Sequence, residues 1–172
     1  ILFNRFLNNF KGNNYIKSAY QKLSWIAILQ GKEDKRTVYL RKIKSEGRSF
    51  IDEDKVALKE ADKHHLNSPR LLISRLLYDG GYYAKAHLEI TSTNNLSDYA
   101  GSFDEYYYRL ARIESKLKYL DKQVIIQYQK AFDIGQKSTN YYAPMSALQI
   151  GLIYEKNNKL NQAKIYFEKC LS

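Results

Sequence analysis

Cysteine is almost absent from this chain of 172 residues. Cys170 stands alone, which excludes an internal disulfide and any multi-cysteine metal site. Two prolines and eight glycines are few for a loop-rich all-β fold. The longest uninterrupted apolar run is Trp25-Ile26-Ala27-Ile28-Leu29, far short of the roughly 18 residues that a membrane span needs. No stretch alternates polar and apolar residues with β-branched enrichment, so no strand is expected. No signal-peptide pattern opens the chain, and its first residue is Ile1 rather than Met. It therefore reads as a fragment of a longer protein, and its compartment is not legible. What remains is ordinary: 44% hydrophobic and 27% charged residues, the composition of a folded domain rather than of a disordered one.

The net charge of +10 favours acidic partners, but it is unevenly spread. Residues 1–48 carry 11 basic and 3 acidic side chains, residues 49–105 carry 6 and 10, and residues 106–172 carry 11 and 5. An acidic middle between basic ends does not make a continuous nucleic-acid track. Binding to nucleic acid is expected to be non-specific at most and to weaken steeply with salt. The 16 tyrosines cluster as Tyr82-Tyr83, Tyr106-Tyr107-Tyr108 and Tyr141-Tyr142. Base stacking is one use for them. The other is half-buried helix faces, with the ring inside and the hydroxyl wet, and the second suits tyrosines that fall on a core pattern.

Helical periodicity is nearly continuous. Short helices are expected over 2–10, 34–45 and 52–63, with acidic residues opening the last as the helix dipole prefers. Ser68-Pro69 reads as a cap and first turn, and that helix runs to the break at Gly80-Gly81. Further helices are expected over 82–91, from the capping-box spacing Ser102-Phe103-Asp104-Glu105 to about Tyr119, over 121–135, from Pro144 to about Asn157, and over 159–171. Short turns between them imply antiparallel pairs.

The last pair has a distinctive spacing: Ala147, Ile150, Gly151 and Tyr154, then Ala163, Phe167 and Cys170. Small residues let two helix backbones approach, and large ones fill the space around the contact. This resembles the tetratricopeptide repeat, with its pattern of W-x2-L-G-x2-Y followed by A-x3-F. Three further copies align with it: Tyr107, Leu110, Ala111 and Glu114 with Val124 and Tyr128; Arg70, Ile73, Ser74 and Leu77 with Ala86 and Ile90; Tyr20, Leu23, Ser24 and Ala27 with Arg36 and Leu40. Glu114 stands where the family has an aromatic, and Arg36 where it has a small residue. From the last residue of each first-helix motif to the key residue of the second helix is nine positions, except ten in the third copy, consistent with one extra turn residue near Lys118-Tyr119.

The resemblance, closest to bacterial proteins with irregular repeats, implies an all-α fold. It would be a right-handed superhelix of about nine or ten helices, a single domain over 1–172. Its pairs lie near 14–46, 67–93, 103–135 and 143–171, and its extra helix near 52–63. It further implies a non-catalytic scaffold that binds a protein or peptide segment in a concave groove lined by first helices. Taking the core positions away leaves Gln21 and Trp25 on the groove side of the first copy, Leu71, Arg75 and Tyr78 in the second, Tyr108 and Arg112 in the third, and Leu148 and Leu152 in the fourth. The two arginines suit carboxylates or carbonyls along an extended chain, and the aromatics suit anchoring. An RNA-binding helical repeat, or a docking segment of a larger enzyme, stays open as an alternative. So does a groove filled by an extra helix or another domain.

No cofactor or metal is expected. His64 and His65 are adjacent on a helix end and face different ways, and His87 is alone. Asp52-Glu53-Asp54 lacks the glycine and final glutamate of a calcium loop. Gly80-Gly81 follows no strand and precedes no Lys-Ser/Thr, unlike a phosphate-binding loop. Cys170 suits a small core residue.

Overall fold

The computed structural model describes residues 2–62, 68–93 and 96–171, and of Leu96 and Asp98 the backbone alone. The helical expectation holds. Ten α-helices and one 3-10 turn, without strands, account for the regular structure among the described residues. They are α1 (Leu2–Asn9), α2 (Ile16–Leu29), α3 (Glu33–Ser45), α4 (Asp52–Asp62), α5 (Pro69–Asp79), α6 (Tyr83–Thr91), α7 (Phe103–Lys116), α8 (Asp121–Gly135), α9 (Tyr142–Lys156) and α10 (Leu160–Leu171), with the 3-10 turn Leu96–Tyr99 between α6 and α7. His64 and His65 lie outside the described residues. The chain divides into two compact units, Ile1–Pro69 and Arg70–Ser172. The boundary falls between the extra helix and the second repeat copy.

The same helix-ending turn recurs four times. Gly31, Gly81, Lys118 and Asn158 take φ values of 66°, 82°, 61° and 56°, the left-handed region that ends a helix. The next N–H in each turn reaches back five residues: Lys32 to Ala27, Tyr82 to Leu77, Tyr119 to Glu114 and Lys159 to Tyr154, at 2.8 to 3.1 Å. The four acceptors are the last first-helix positions of the four repeat copies. The third turn holds one residue more before its second helix, Leu120, which accounts for the ten-residue spacing. Lys118 also stops α7 at Lys116, three residues before the expected end at Tyr119. Two further boundaries differ from expectation. Ser102 precedes α7 but makes no side-chain cap bond; Asp104 supplies the carboxylate instead, accepting from the Glu105 N–H at 2.8 Å. Pro144 falls in the third position of α9, because the missing N–H is tolerated anywhere in a first turn.

Within each pair the small motif residue of the first helix and the key residue of the second are interior. Ser24, Ser74, Ala111 and Gly151 are buried, as are Arg36, Ala86, Val124 and Ala163 on the second helices. Ser24 and Ser74 turn their hydroxyls back onto the carbonyls of Gln21 and Leu71, three residues earlier, which satisfies them inside the packing. Arg36, at an interior position, pairs with Glu33 at 3.0 Å. Over Gly151 lies the Phe167 ring. A Cβ built on Gly151 would come within 2.5 Å of it, so the glycine makes room for the ring.

In the first unit, α2 and α3 pair, and α4 packs on both. Tyr20, Leu23, Ile43, Ala57 and Ala61 form its core. In the second unit, Leu71, Ala86, Ile90, Tyr99, Tyr106, Leu110 and Ile113 form one cluster. Tyr108, Ala111, Val124, Tyr128, Tyr142 and Ile150 belong to the next. Glu114 is buried between α6 and α7. One carboxylate oxygen is 3.9 Å from His87 Nε2, and the other has no hydrogen-bond partner. Burial raises the Glu114 pKa against the pull of Lys130, and burial lowers that of His87, so the pair does not act as a salt bridge at neutral pH.

Two predictions follow from this packing. Gly151→Val and Ala163→Leu each force methyl groups into filled space and are expected to lower the unfolding free energy by about 1–3 kcal/mol, measured by urea denaturation. Glu114 has a folded-state pKa above its unfolded one, so it favours the fold only while protonated, and stability falls as pH rises above the ordinary carboxyl range. Glu114→Gln is therefore expected to melt higher than the parent at neutral pH and to match it in acid, read from thermal melts across pH.

Candidate functional site

The nine groove-side residues fall in both units. Gln21 and Trp25 belong to the first, and α4 covers their face. Glu60 accepts hydrogen bonds from Gln21 Nε2 at 2.6 Å and from Trp25 Nε1 at 2.7 Å, and the Lys22 ammonium sits 3.6 Å over the indole. Gln21 is buried. This corrects their assignment to an open groove: the extra helix occupies that side of α2. The signal was present in the sequence as Glu60, but nothing in its spacing ties it to Gln21 and Trp25, 39 and 35 residues away.

The other seven belong to the second unit. Leu71 and Tyr108 also require correction, since both are buried in the core clusters. Leu71 shares its cluster with Ala86 and Ile90 of α6 and with Leu110 and Ile113 of α7, so the apolar stripe of α5 is wider than the four motif positions. Tyr108 packs among Tyr128, Tyr141 and Tyr142 at centroid distances of 5.4 to 6.0 Å, and burial raises its pKa.

Five groove-side residues remain at or near the surface. Arg112 on α7 lays its guanidinium 4.3 Å from the centre of the Tyr78 ring on α5 and 5.7 Å from that of Tyr108, a cation–π arrangement that fixes the planar group. Arg75, one position after the small motif residue as Arg112 is, lines a cavity of about 10 Å³ together with Ser74, Tyr78, Arg109, Arg112 and Ile113, room for one water-sized group. Leu148 is half-buried on α9, and Leu152 is exposed.

An ion pair that the repeat spacing does not reveal lies beneath this cluster. Glu105 and Arg109 are 3% and 5% exposed, and their carboxylate and guanidinium meet at 2.6 and 2.7 Å. Burial disfavours the Arg109 charge, but Glu105 more than restores it, and the pKa moves up. Burial likewise raises the Tyr142 and Tyr128 pKa values, so both phenols stay neutral. An acidic and a basic residue four apart on one helix were legible in the sequence. That the pair is interior was not. Among the described residues, no group of three or more His, Cys, Asp or Glu side chains is placed to hold a metal ion.

A family model for the tetratricopeptide repeat matches residues 146–172, from the first half of α9 through α10. The chain carries a tetratricopeptide repeat. The four equivalent turns extend that architecture to helix pairs beyond the matched stretch, and the fold is a tetratricopeptide-like helical repeat. Such repeats serve as protein-interaction scaffolds. No curated protein and no solved structure matches the chain. No described helix is long and apolar enough to cross a membrane.

Removing the carboxylate from the buried pair strands a charge in the tetratricopeptide-like core. Glu105→Gln is expected to cost about 3–5 kcal/mol of unfolding free energy, measured by chemical denaturation.

Proposed function

We propose that this chain is a non-catalytic scaffold that binds a protein or peptide segment on the face of the second unit carrying Arg75, Tyr78, Arg112, Leu148 and Leu152. One observation carries the reading. Arg112 is held flat by two tyrosine rings. A preorganised fork of five donors loses little entropy when a carboxylate or a row of carbonyls docks on it. Leu148 and Leu152 supply apolar area on α9, and Tyr78 supplies an aromatic anchor. Leu71 and Tyr108 support the face from below, and the Glu105–Arg109 pair holds α7 in register beneath it.

The test is affinity capture with the purified chain, identification of captured proteins by mass spectrometry, and titration of a captured partner against variants. Arg112→Ala is expected to weaken binding by about 1.5–3 kcal/mol while leaving the melting temperature near that of the parent. Arg112→Lys keeps the charge but loses the planar fork, and is expected to recover only part of the affinity. Unfolding of Arg112→Ala with residual affinity intact makes the arginine structural and removes this face from consideration. Capture of one RNA sequence that persists at physiological salt favours nucleic-acid recognition instead.

A further inference from the structure

The helix that covers Gln21 and Trp25 is attached by carboxylates more than by apolar packing. Of the 11 residues of α4, three are buried: Asp54, Ala57 and Ala61. Leu58 packs at the edge of the core, and Val56 is exposed. By contrast, α3 inserts a fully buried Ile43 and packs Tyr39 and Leu40 against the same core. An alanine removes little more than a methyl group from water. The remaining attachments are polar. Glu60 accepts from Gln21 and Trp25, and Asp54 from the Tyr15 and Ser18 amides. Asp62 pairs with Lys44 at 3.0 Å, exposed at both ends and therefore screened by salt. Each such bond replaces a bond to water, so its net contribution is small. Elements with few buried apolar contacts open at free energies below that of global unfolding.

Seating α4 also strains the entry to α2. Tyr15 has φ 65° and ψ 1°, rare for a bulky residue. The buried Asp54 carboxylate holds it there, accepting from the Tyr15 N–H at 2.7 Å and the Ser18 N–H at 2.9 Å. Without Asp54, Tyr15 is free to return to an ordinary conformation, so the departure of α4 relieves strain. Strained positions of this kind concentrate at ligand clamps and switch regions.

The chemistry of α4 defines what else fits the face it covers. That face presents two pairs of donors: the Tyr15 and Ser18 amides, and the Gln21 and Trp25 side chains. Asp54 and Glu60 meet both pairs at once. Six residues of α-helix separate them by about 9 Å along the axis. Ala57 and Ala61, at helical spacing with Asp54, keep that side of α4 small and let it lie close to α2. A helix without the two carboxylates leaves donors unpaired in the contact, which is costly. An apolar surface or a bilayer is therefore a poor substitute.

We propose that α4 is a displaceable internal ligand of the α2 face. It closes that face until a partner protein's helix, with two carboxylates six residues apart and small side chains on the same side, takes its place. This surface is separate from the Arg112 face and does not rest on it. The first test is native-state hydrogen exchange on the intact chain in low denaturant. Amides of α4 are expected to exchange about tenfold or more faster than the buried stretches of α2 and α3, which stay protected. Equal protection of all three helices overturns the proposal. The second test reads the emission of Trp25, the only tryptophan. Glu60→Ala is expected to shift it to the red and to speed α4 exchange further, with α2 and α3 unchanged. A synthetic peptide of the α4 sequence, Asp52–Asp62, is then titrated against both chains. It is expected to bind Glu60→Ala about tenfold or more tighter than the parent, whose own α4 competes at high effective concentration, and to return the emission to the blue. The same peptide carrying Glu60→Ala is expected to leave the emission unchanged. Loss of α2 and α3 protection in Glu60→Ala, no response to the intact peptide, or an equal response to both peptides overturns the proposal and makes α4 a fixed part of the unit.

Discussion

The hydrogen bond that closes each helix pair sets the geometry on which the rest of the structure depends. An N–H following a left-handed residue reaches back five positions to the last motif residue of the first helix, at Ala27, Leu77, Glu114 and Tyr154. This satisfies a carbonyl that would otherwise lack a partner at the helix end and turns the chain so that the second helix runs back along the first. Nine or ten residues after the acceptor, a side chain then lands in the interface: Arg36, Ala86, Val124 and Ala163 are all buried. The acceptors differ widely in side chain because the bond belongs to the backbone. That explains how Ala27 and Glu114 occupy equivalent places with Tyr154.

Buried charge is the second organising feature. Asp54, fully buried, caps the start of α2 from α4 through two backbone amides. A carboxylate at a helix N-terminus is favoured both by these bonds and by the helix dipole. Glu60 ties the same two helices together through Gln21 and Trp25. In the second unit, Glu105 and Arg109 neutralise each other inside the core. Interactions of this kind add little to stability compared with well-packed apolar side chains, but they punish misplacement severely. They therefore act on register more than on strength, and register decides which side chains of α7 reach the surface.

Arg112 illustrates the consequence. It lies three residues beyond Arg109 and one beyond Ala111, and its surroundings differ from those of both. Arg109 is enclosed with its carboxylate, and Ala111 is in the interface. Arg112 is laid across Tyr78 and Tyr108, charged and oriented. The face that includes it is small, and its character comes from a rigid guanidinium rather than from an extended apolar surface.

The sequence by itself determined the helices, their pairing and the repeat register. A 3.6-residue period and the spacing of small and large residues are local quantities, and the ten-residue gap in the third copy already announced its longer turn. It also determined that Arg75 and Arg112 occupy equivalent positions. Tertiary structure alone decided which residues of those helices are open. Gln21 and Trp25 are covered because α4 returns across α2, a contact between residues 35 or more apart that no periodicity encodes. Leu71 and Tyr108 are core because their clusters draw side chains from several helices, and such a helix buries a wider stripe than one pair requires. The left-handed Tyr15 is set by the distant Asp54 carboxylate. Local pattern fixes what a helix can bury. Only the neighbours that fold back upon it determine what it does bury.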